Sequence, residues 1–185
     1  MAIRRIFRID DDEDQKILKT RCRTVQLPNP ALRQLAADMF ETMHEANGVG
    51  LAAPQVGIAQ RLAVIHIPAP TEEQPDGTQV EVGPEQNYVL INPEIVKAGG
   101  PEVISAEGCL SLPGWYGDVP RQAWVTVDYT DLNGKQQRIR RANGLLSRAL
   151  QHEIDHLDGI LFTERMRDLS TLRDLSKEDE QPVAE

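Results

Sequence analysis

Cysteines are scarce in this sequence, and long apolar runs are absent. Only Cys22 and Cys109 occur among the 185 residues, too few for a disulfide framework, which indicates a reducing compartment and leaves both thiols free. Residues 1–14 contain no apolar segment like that of a secretory signal, and no stretch approaches the length needed to span a bilayer. We therefore expect a cytoplasmic protein with no membrane partner.

Basic residues are also fewer than acidic residues. The chain has 20 lysines and arginines against 29 aspartates and glutamates, which gives a formal net charge of −9. This charge argues against direct binding to nucleic acid or to an anionic membrane surface, because both are themselves negatively charged. The length is that of one domain with a buried core.

The clearest functional pattern is the segment 151–159, which contains His152, Glu153 and His156. Two histidines four apart lie one turn apart on the same face of a helix, where both imidazoles can bind one divalent metal ion. The glutamate beside the first histidine is then placed to act on a water at the metal rather than to bind the metal. Apolar residues before and within the segment predict the helix, and Gly159 suits its end.

A third ligand is needed, because two imidazoles hold a metal weakly and catalytic sites of this type use three protein ligands. The third histidine of the longer form of the motif is missing, since Phe162 occupies its position. The acidic tail looks too solvated to supply a ligand, whereas a thiolate well upstream is a strong candidate. The donors that remain open are Cys109, Glu164, His44 and His66, with Glu178 and Glu180 in the tail.

Helical and strand patterns alternate along the rest of the chain. Apolar residues recur at helical spacing from Ala31 onward and predict a helix. Asn29 is expected as its cap, Pro30 as its first residue and Asn47 beyond its end. Residues 68–87 are polar and predict a surface loop or loose hairpin. Strands are predicted at 61–67, 88–91, 124–129 and 136–141, the last two joined by a hairpin turn at 133–134.

The sequence also predicts the local structure of several connecting segments and of the C-terminal part of the chain. Residues 10–14 are interpreted as a solvated turn. Asn92-Pro93 is expected to end a strand, and Gly99-Gly100-Pro101 is expected to form a turn between two short strands. Leucines at 169, 172 and 175 predict a last helix.

Three separated motifs together resemble those of peptide deformylases. They are GVGLAAPQ at 48–55, EGCLS at 107–111 and HEIDH at 152–156. The resemblance implies an α+β fold, with antiparallel strands and small sheets packed around a central metal-binding helix, an N-terminal helix and a short C-terminal helix. It also implies a single catalytic domain over 1–175 and an acidic, disordered tail over 176–185.

The reaction implied by the resemblance is hydrolysis of the N-formyl group from the N-terminal formylmethionine of nascent polypeptides, which releases formate. Cys109, His152 and His156 would then bind one divalent metal ion. Iron(II) would be the native metal, although zinc, nickel or cobalt can occupy such a site, and the ligand types do not separate these metals.

The same resemblance assigns roles to residues around the metal. Glu153 would take a proton from water and pass it to the leaving amine. The Gln55 side chain and the Leu110 backbone N–H would stabilise the oxyanion that develops during hydrolysis. The residues expected around the substrate are Val49, Gly50, Glu107 and Leu145.

Within that substrate group, Val49 and Leu145 are candidate walls of a methionine pocket, and Gly50 would offer its backbone to the peptide. Glu107, next to a ligand, is also expected to anchor the site, with Arg121 as its partner. Arg148 is expected to pack its stem against apolar surface while its guanidinium reaches water.

Formyl-methionyl nascent peptides are the expected partners of a monomeric enzyme. A transient contact with the ribosome is compatible with such substrates, but docking through a basic C-terminal helix is not expected, because residues 177–180 are acidic. Two rival interpretations remain. One is a metallopeptidase whose third ligand is a downstream glutamate, and the other is a structural metal site closed by four ligands.

Overall fold

The computed structural model of the chain describes residues 2–74 and 77–176. The acidic tail expected over 176–185 therefore lies outside the described residues, except for Ser176. The helices in the described ranges are α1 (Asp12–Leu18), α2 (Ala31–Glu45), α3 (Gly144–Leu157) and α4 (Phe162–Arg165). The strands are β1 (Gly50–Ala52), β2 (Leu62–Ile67), β3 (Thr71–Glu73), β4 (Gln79–Glu81), β5 (Gln86–Cys109), β6 (Leu112–Thr130), β7 (Gln136–Asn143) and β8 (Arg173–Asp174).

The strands of the described ranges form one large sheet and one small one. The large sheet has six strands in the order β1-β2-β5-β6-β7, with β8 also paired to β6, and all of its pairs are antiparallel. β3 and β4 form a separate hairpin within the segment where a loose hairpin is predicted. The α+β class is therefore confirmed. Across the described ranges, none of the helices has the length and apolar character that crossing a membrane requires.

Helix α2 forms where the apolar periodicity predicts it. The Asn29 side chain accepts a hydrogen bond from the Ala31 N–H at 3.2 Å, and the helix begins at Ala31, one residue later than expected. Met39 and Met43 are fully buried. Burial of each such side chain stabilises the fold by roughly 1.5–3 kcal/mol.

The sheet separates two apolar cores. Val64 packs in the core that contains Met39 of α2, whereas its neighbour Ile65 packs in the core that contains Leu150 of α3. Successive residues of a strand point to opposite faces of a sheet, so the two helices lie on opposite faces. Helix α3, which carries both histidines, is thus held against one face of the sheet.

Strand β5 corrects two predictions about its irregular segments. Asn92-Pro93 does not end the strand, and Gly99-Gly100-Pro101 does not form a turn, because β5 continues through both. Each segment coincides with a shift of register against β6, one between Ile91 and Glu94 and the other between Gly99 and Glu102. Pairing with β6 resumes after each shift, so these residues bend the strand as bulges instead of reversing it.

The predictions for the two ends of the chain are also corrected. Residues 10–14 are not simply a turn, since the Asp11 side chain accepts hydrogen bonds from two backbone N–H groups and caps α1, which begins at Asp12. The leucines at 169, 172 and 175 do not form an α-helix. A 3-10 turn at Leu169–Thr171 is followed by β8, which pairs with Trp115 and Tyr116 of β6, so sheet pairing overrides the helical spacing.

Gly159 ends α3 as predicted. Its φ of 74° lies in the left-handed region, and the following Ile160 N–H donates to the Asp155 carbonyl at 2.9 Å. A Cβ at position 159 would lie 2.5 Å from the backbone carbonyl oxygen of Lys19. This position therefore requires glycine both for its dihedral angle and for its close contact with the segment after α1.

We expect Gly159→Ala to lower the free energy of unfolding by about 2–4 kcal/mol, from the left-handed strain and the displaced backbone together. Gly134→Ala is the matched control, since Gly134 also has a positive φ (79°) but no atom within 4 Å of its would-be Cβ. The control is expected to cost about 1–2 kcal/mol. Urea unfolding of both variants measures the difference, and equal losses would contradict the proposed contact.

Candidate active site

The structure brings three of the predicted donors together. Cys109 ends β5, whereas His152 and His156 lie one turn apart on α3. The Cys109 Sγ lies 3.2 Å from the His156 Nε2, which in turn lies 3.2 Å from the His152 Nε2. Within the described ranges, this is the group whose donor atoms, all within 4.8 Å of one another, are arranged to hold a metal ion.

The other candidate ligands lie elsewhere. The Glu164 carboxylate accepts a hydrogen bond from the Leu161 N–H at 2.8 Å and pairs with Lys19 at 2.7 Å. The rings of His44 and His66 lie against each other, with their centroids 4.9 Å apart. The two tail glutamates, at 178 and 180, lie outside the described residues. Of the candidate third donors in the described residues, the Cys109 thiol is therefore the one that lies beside the two histidines.

Two of the separations between the donor atoms fit a tetrahedral metal. Bond lengths of about 2.0–2.3 Å from a metal to nitrogen and sulfur place neighbouring ligand atoms about 3.3–3.6 Å apart. The observed separations of 3.2 Å are close to these values. Three protein donors leave a fourth position open, which distinguishes this group from a closed structural site.

The electrostatics of the group favour a thiolate. Burial by itself raises the pKa of the Cys109 thiol, but the adjacent His156 and His152 rings outweigh burial and hold that pKa well below its usual value. Burial likewise disfavours the charged form of His152, but hydrogen bonds with Cys109 and Glu107 raise its pKa. A deprotonated sulfur is the form that binds metals.

Glu107 fixes the orientation of the His152 ring. Its Oε2 lies 3.0 Å from His152 Nδ1, so the opposite nitrogen, Nε2, faces Cys109 and His156. The predicted partnership with Arg121 is confirmed, because the Arg121 guanidinium donates to both carboxylate oxygens at 2.9 Å. Burial opposes ionisation of Glu107, but these donors lower its pKa to about 2.

Glu153 is buried in a different electrostatic environment. Within the part of the chain that the structure describes, its Oε2 has no hydrogen-bond partner. Burial raises the pKa of this carboxyl to about 6, although the nearby His152 and His156 oppose the shift. The backbone of Gly50 approaches closely, since a Cβ there would lie 2.3 Å from the Glu153 Oε1. Unlike Glu107, Glu153 thus has a carboxylate oxygen that no donor of the described residues occupies.

Gln55 is held with its amide nitrogen towards the thiol. Its Oε1 accepts a hydrogen bond from the Ala52 N–H at 2.8 Å. Its Nε2 lies 3.2 Å from the Ser111 Oγ and 3.6 Å from the Cys109 Sγ. The 3-10 turn Ala53–Val56 therefore presents a fixed N–H donor to the site.

A cavity of about 410 Å³ opens beside the three donors. Every predicted site residue except the buried His156 lines it, including the four residues expected around the substrate. Val49 is half-buried, and Leu145 is 46% exposed at the surface end of α3. The cavity is thus lined by apolar side chains as well as by the polar cluster.

The sequence does not reveal the role of two polar residues that support the site. Ser111 is buried against Gln55, and Asp155 is buried between Arg121 and Arg165. A signal was present for Asp155, because a carboxylate next to the apolar residue Ile154 needs cationic partners if the helix buries it. Nothing in the sequence indicated that those partners come from β6 and α4.

Arg148 also differs from its predicted role. Its guanidinium does not point into water but donates to Glu107 Oε1 at 2.6 Å and to the carbonyl oxygens of Val119 and Val103 at 3.0 and 2.8 Å. The side chain is only 16% exposed. A buried carboxylate and two backbone acceptors thus satisfy the charge that was expected to be solvated.

Comparison with known proteins identifies the family. The family model described as polypeptide deformylase matches residues 3–171. A peptide deformylase from Roseiflexus sp. (strain RS-1) is 74% identical over 185 residues, which cover 100% of both chains. One from Chloroflexus aggregans is 68% identical and covers 99% of this chain and 98% of its own. The chain belongs to the peptide deformylase family.

Solved peptide deformylases have the same fold. A Synechococcus elongatus enzyme in complex with actinonin has 40% sequence identity and a TM-score of 0.73, over 88% of this chain and 78% of its own. A class I type b enzyme from Acinetobacter baumannii, bound to Met-Ala-Ser, has 36% identity and a TM-score of 0.74, over 89% and 99% of the two chains. Peptide deformylases are metal-dependent hydrolases that remove the N-formyl group from N-terminal formylmethionine, and this is the activity of the chain.

We expect Gly50→Ala to reduce deformylase activity by roughly a hundredfold or more. The added methyl group would displace the Glu153 carboxylate, and misplacement of a reacting group by about 1 Å costs about this much. Formate release from a formyl-methionyl peptide measures the effect, and Gly134→Ala serves as the control because its methyl group meets no atom within 4 Å. Wild-type activity in Gly50→Ala would refute the importance of this contact.

Proposed function

We propose that Cys109, His152 and His156 bind one divalent metal ion, with iron(II) as the native metal and zinc, nickel or cobalt as possible substitutes. The observation that carries this proposal is the meeting of one sulfur and two ring nitrogens, in which the His156 Nε2 lies 3.2 Å from both the Cys109 Sγ and the His152 Nε2. When bound there, such an ion supplies Lewis acidity and lowers the pKa of water towards neutrality.

Glu153 is proposed to move the proton during hydrolysis. Its carboxylate takes a proton from the attacking water and delivers it to the nitrogen of the leaving amine, so that formate and a free N-terminus result. Support comes from its burial, its unpartnered Oε2 and its position on the cavity wall. A buried carboxylate with a raised pKa is suited to accept and return a proton.

Gln55 and Leu110 are proposed to stabilise the negative charge that develops on the formyl oxygen. The Gln55 amide is already held in place through Ala52, so it donates a hydrogen bond without a further ordering cost. Leu110 follows Cys109 directly and lines the same cavity, where its backbone N–H is proposed as the second donor.

The substrate is proposed to enter through the apolar part of the cavity. Val49 and Leu145 would contact the methionine side chain, and the Gly50 backbone would contact the peptide. Glu107, although it lines the cavity, has both oxygens occupied by Arg121, Arg148 and His152, so its proposed role is to anchor the site.

The setting proposed for the enzyme is the cytoplasm, where residues 1–175 act as one monomeric catalytic domain on formyl-methionyl nascent peptides. The family match over residues 3–171 supports a single domain. The net charge of −9 supports the absence of direct nucleic-acid or membrane partners and limits any contact with the ribosome to a transient one.

We expect Cys109→Ser to lose bound metal, because an alcohol is a much poorer ligand than a thiolate. The loss of affinity should exceed the roughly 10- to 100-fold that removal of an outer hydrogen-bond partner costs. Cys22→Ser is the matched control, since the buried Cys22 is the other free cysteine and its pKa is raised to about 11. Metal content after dialysis separates the two, and retention of metal by Cys109→Ser would contradict the proposed role of the thiolate as a ligand.

We expect Glu153→Gln to keep its metal but to lower kcat for formate release from formyl-Met-Ala-Ser by about 10²- to 10⁴-fold, because the amide cannot accept the proton. Glu81→Gln, on exposed strand β4, should retain full activity. If the wild-type protein loaded with iron(II), nickel or zinc released no formate, the proposed function would be wrong. Undiminished kcat in Glu153→Gln would reject only the role of that residue.

A further inference from the structure

Helix α3 is tied to two different strands by its polar side chains. Ser147 donates to the Gln122 carbonyl oxygen at 3.2 Å, and Gln151 exchanges hydrogen bonds with the backbone N–H and carbonyl of Gln122, both at 3.0 Å. These contacts attach the helix to β6. They do not involve β5, the strand that ends in the thiol.

The hydrogen bonds from α3 to Glu107 and Val103 of β5 come from Arg148 and His152, which lie one turn apart. Both bind the carboxylate of Glu107, Arg148 at Oε1 (2.6 Å) and His152 at Oε2 (3.0 Å). Arg148 also donates to the Val103 carbonyl oxygen in β5 at 2.8 Å. Two side chains of α3 thus bind the Glu107 carboxylate. Arg148 makes a third contact at Val103, four residues earlier on the same strand.

Arg121 makes a separate connection, which lies further along the helix. Arg121 lies in β6, directly opposite Val103 of β5, so its hydrogen bonds to Glu107 join two strands that are already paired. Its contact with α3 is made at Asp155, seven residues beyond Arg148. Arg148 is therefore placed to hold the first half of α3 against β5.

We propose that Arg148 is a positioning residue for the metal site, which keeps the helix that carries the two imidazoles in register with the strand that carries the thiolate. The inference rests on the proposed metal site. Arg148 acts through Glu107 and the Val103 carbonyl oxygen, not through contact with the reacting atoms. Its loss would leave Glu107 with a single guanidinium and would allow His152 to move relative to Cys109.

The shape of Arg148 suits this role. A planar guanidinium can donate to several acceptors in fixed directions, and here it reaches one carboxylate and two carbonyl oxygens on two strands. A lysine keeps the charge but concentrates its donors on one nitrogen, so it cannot reproduce the same spread of contacts. A leucine keeps the apolar stem and removes every contact.

Release of Zn²⁺ to a chromogenic chelator tests the inference without dependence on turnover. We expect the zinc-loaded Arg148→Leu protein to release metal about tenfold or more faster than the wild type, in the range found for loss of residues that orient metal ligands. Arg148→Lys should release metal at an intermediate rate. The control is Arg138→Leu. Arg138 lies on β7, is half-exposed and pairs with Asp128 of β6, so this variant should release metal at the wild-type rate.

A second readout separates positioning from substrate binding. With formyl-Met-Ala-Ser, Arg148→Leu is expected to lower kcat while KM stays within about twofold, since a shifted ligand impairs the reaction rather than the contact with peptide. An unchanged rate of zinc release would overturn the inference, and so would a raised KM with unchanged kcat. If Arg148→Leu does not fold, Arg148→Lys is measured instead, and zinc release at the wild-type rate in that variant has the same meaning.

Zinc retention distinguishes an error in the role of Arg148 from an error in the proposed metal site. If the wild-type protein retained no zinc, the metal site itself would be wrong and the role of Arg148 would fall with it. If the wild type and Arg148→Leu retained zinc equally well, only the role of Arg148 would be rejected.

Discussion

The site depends on the hydrogen bonds that the buried carboxylate of Glu107 accepts. Glu107 lies on β5, close to the thiol of Cys109, and it binds the ring of His152 on α3. Burial of an unpaired carboxylate would be very costly, but four hydrogen bonds from two arginines and this histidine keep it ionised. Because the three proposed metal donors come from two separate elements, their geometry depends on this link between strand and helix.

The two buried glutamates of the site show how the environment sets their roles. Glu107 is surrounded by donors and has a pKa of about 2, so it remains a fixed anion. Glu153 is equally buried but has one unpartnered oxygen and a pKa of about 6. Identical side chains are thereby separated into an anchor and a group able to exchange a proton.

Apolar packing places these polar groups within reach of one another. Leu150 and Ile154 of α3 pack into the core on one face of the sheet, which fixes the helix axis relative to β5. The core on the other face holds α2 against β1 and β2, and so supports the segment that carries Gly50 and Gln55. Each motif thus reaches the cavity from an element that a core already immobilises.

The sequence by itself determined the helices α2 and α3, the turn at Gly159 and the placement of His152 and His156 on one face of α3. These features depend on local spacing and on short motifs, so they can be predicted without knowledge of the fold. Only the tertiary structure decided that Gly99-Gly100-Pro101 is a bulge, that the leucines after 169 lead into a strand, and that Arg148 binds Glu107. Each of these outcomes depends on pairing or burial between segments far apart in the chain, and local sequence does not encode which distant partner will be present.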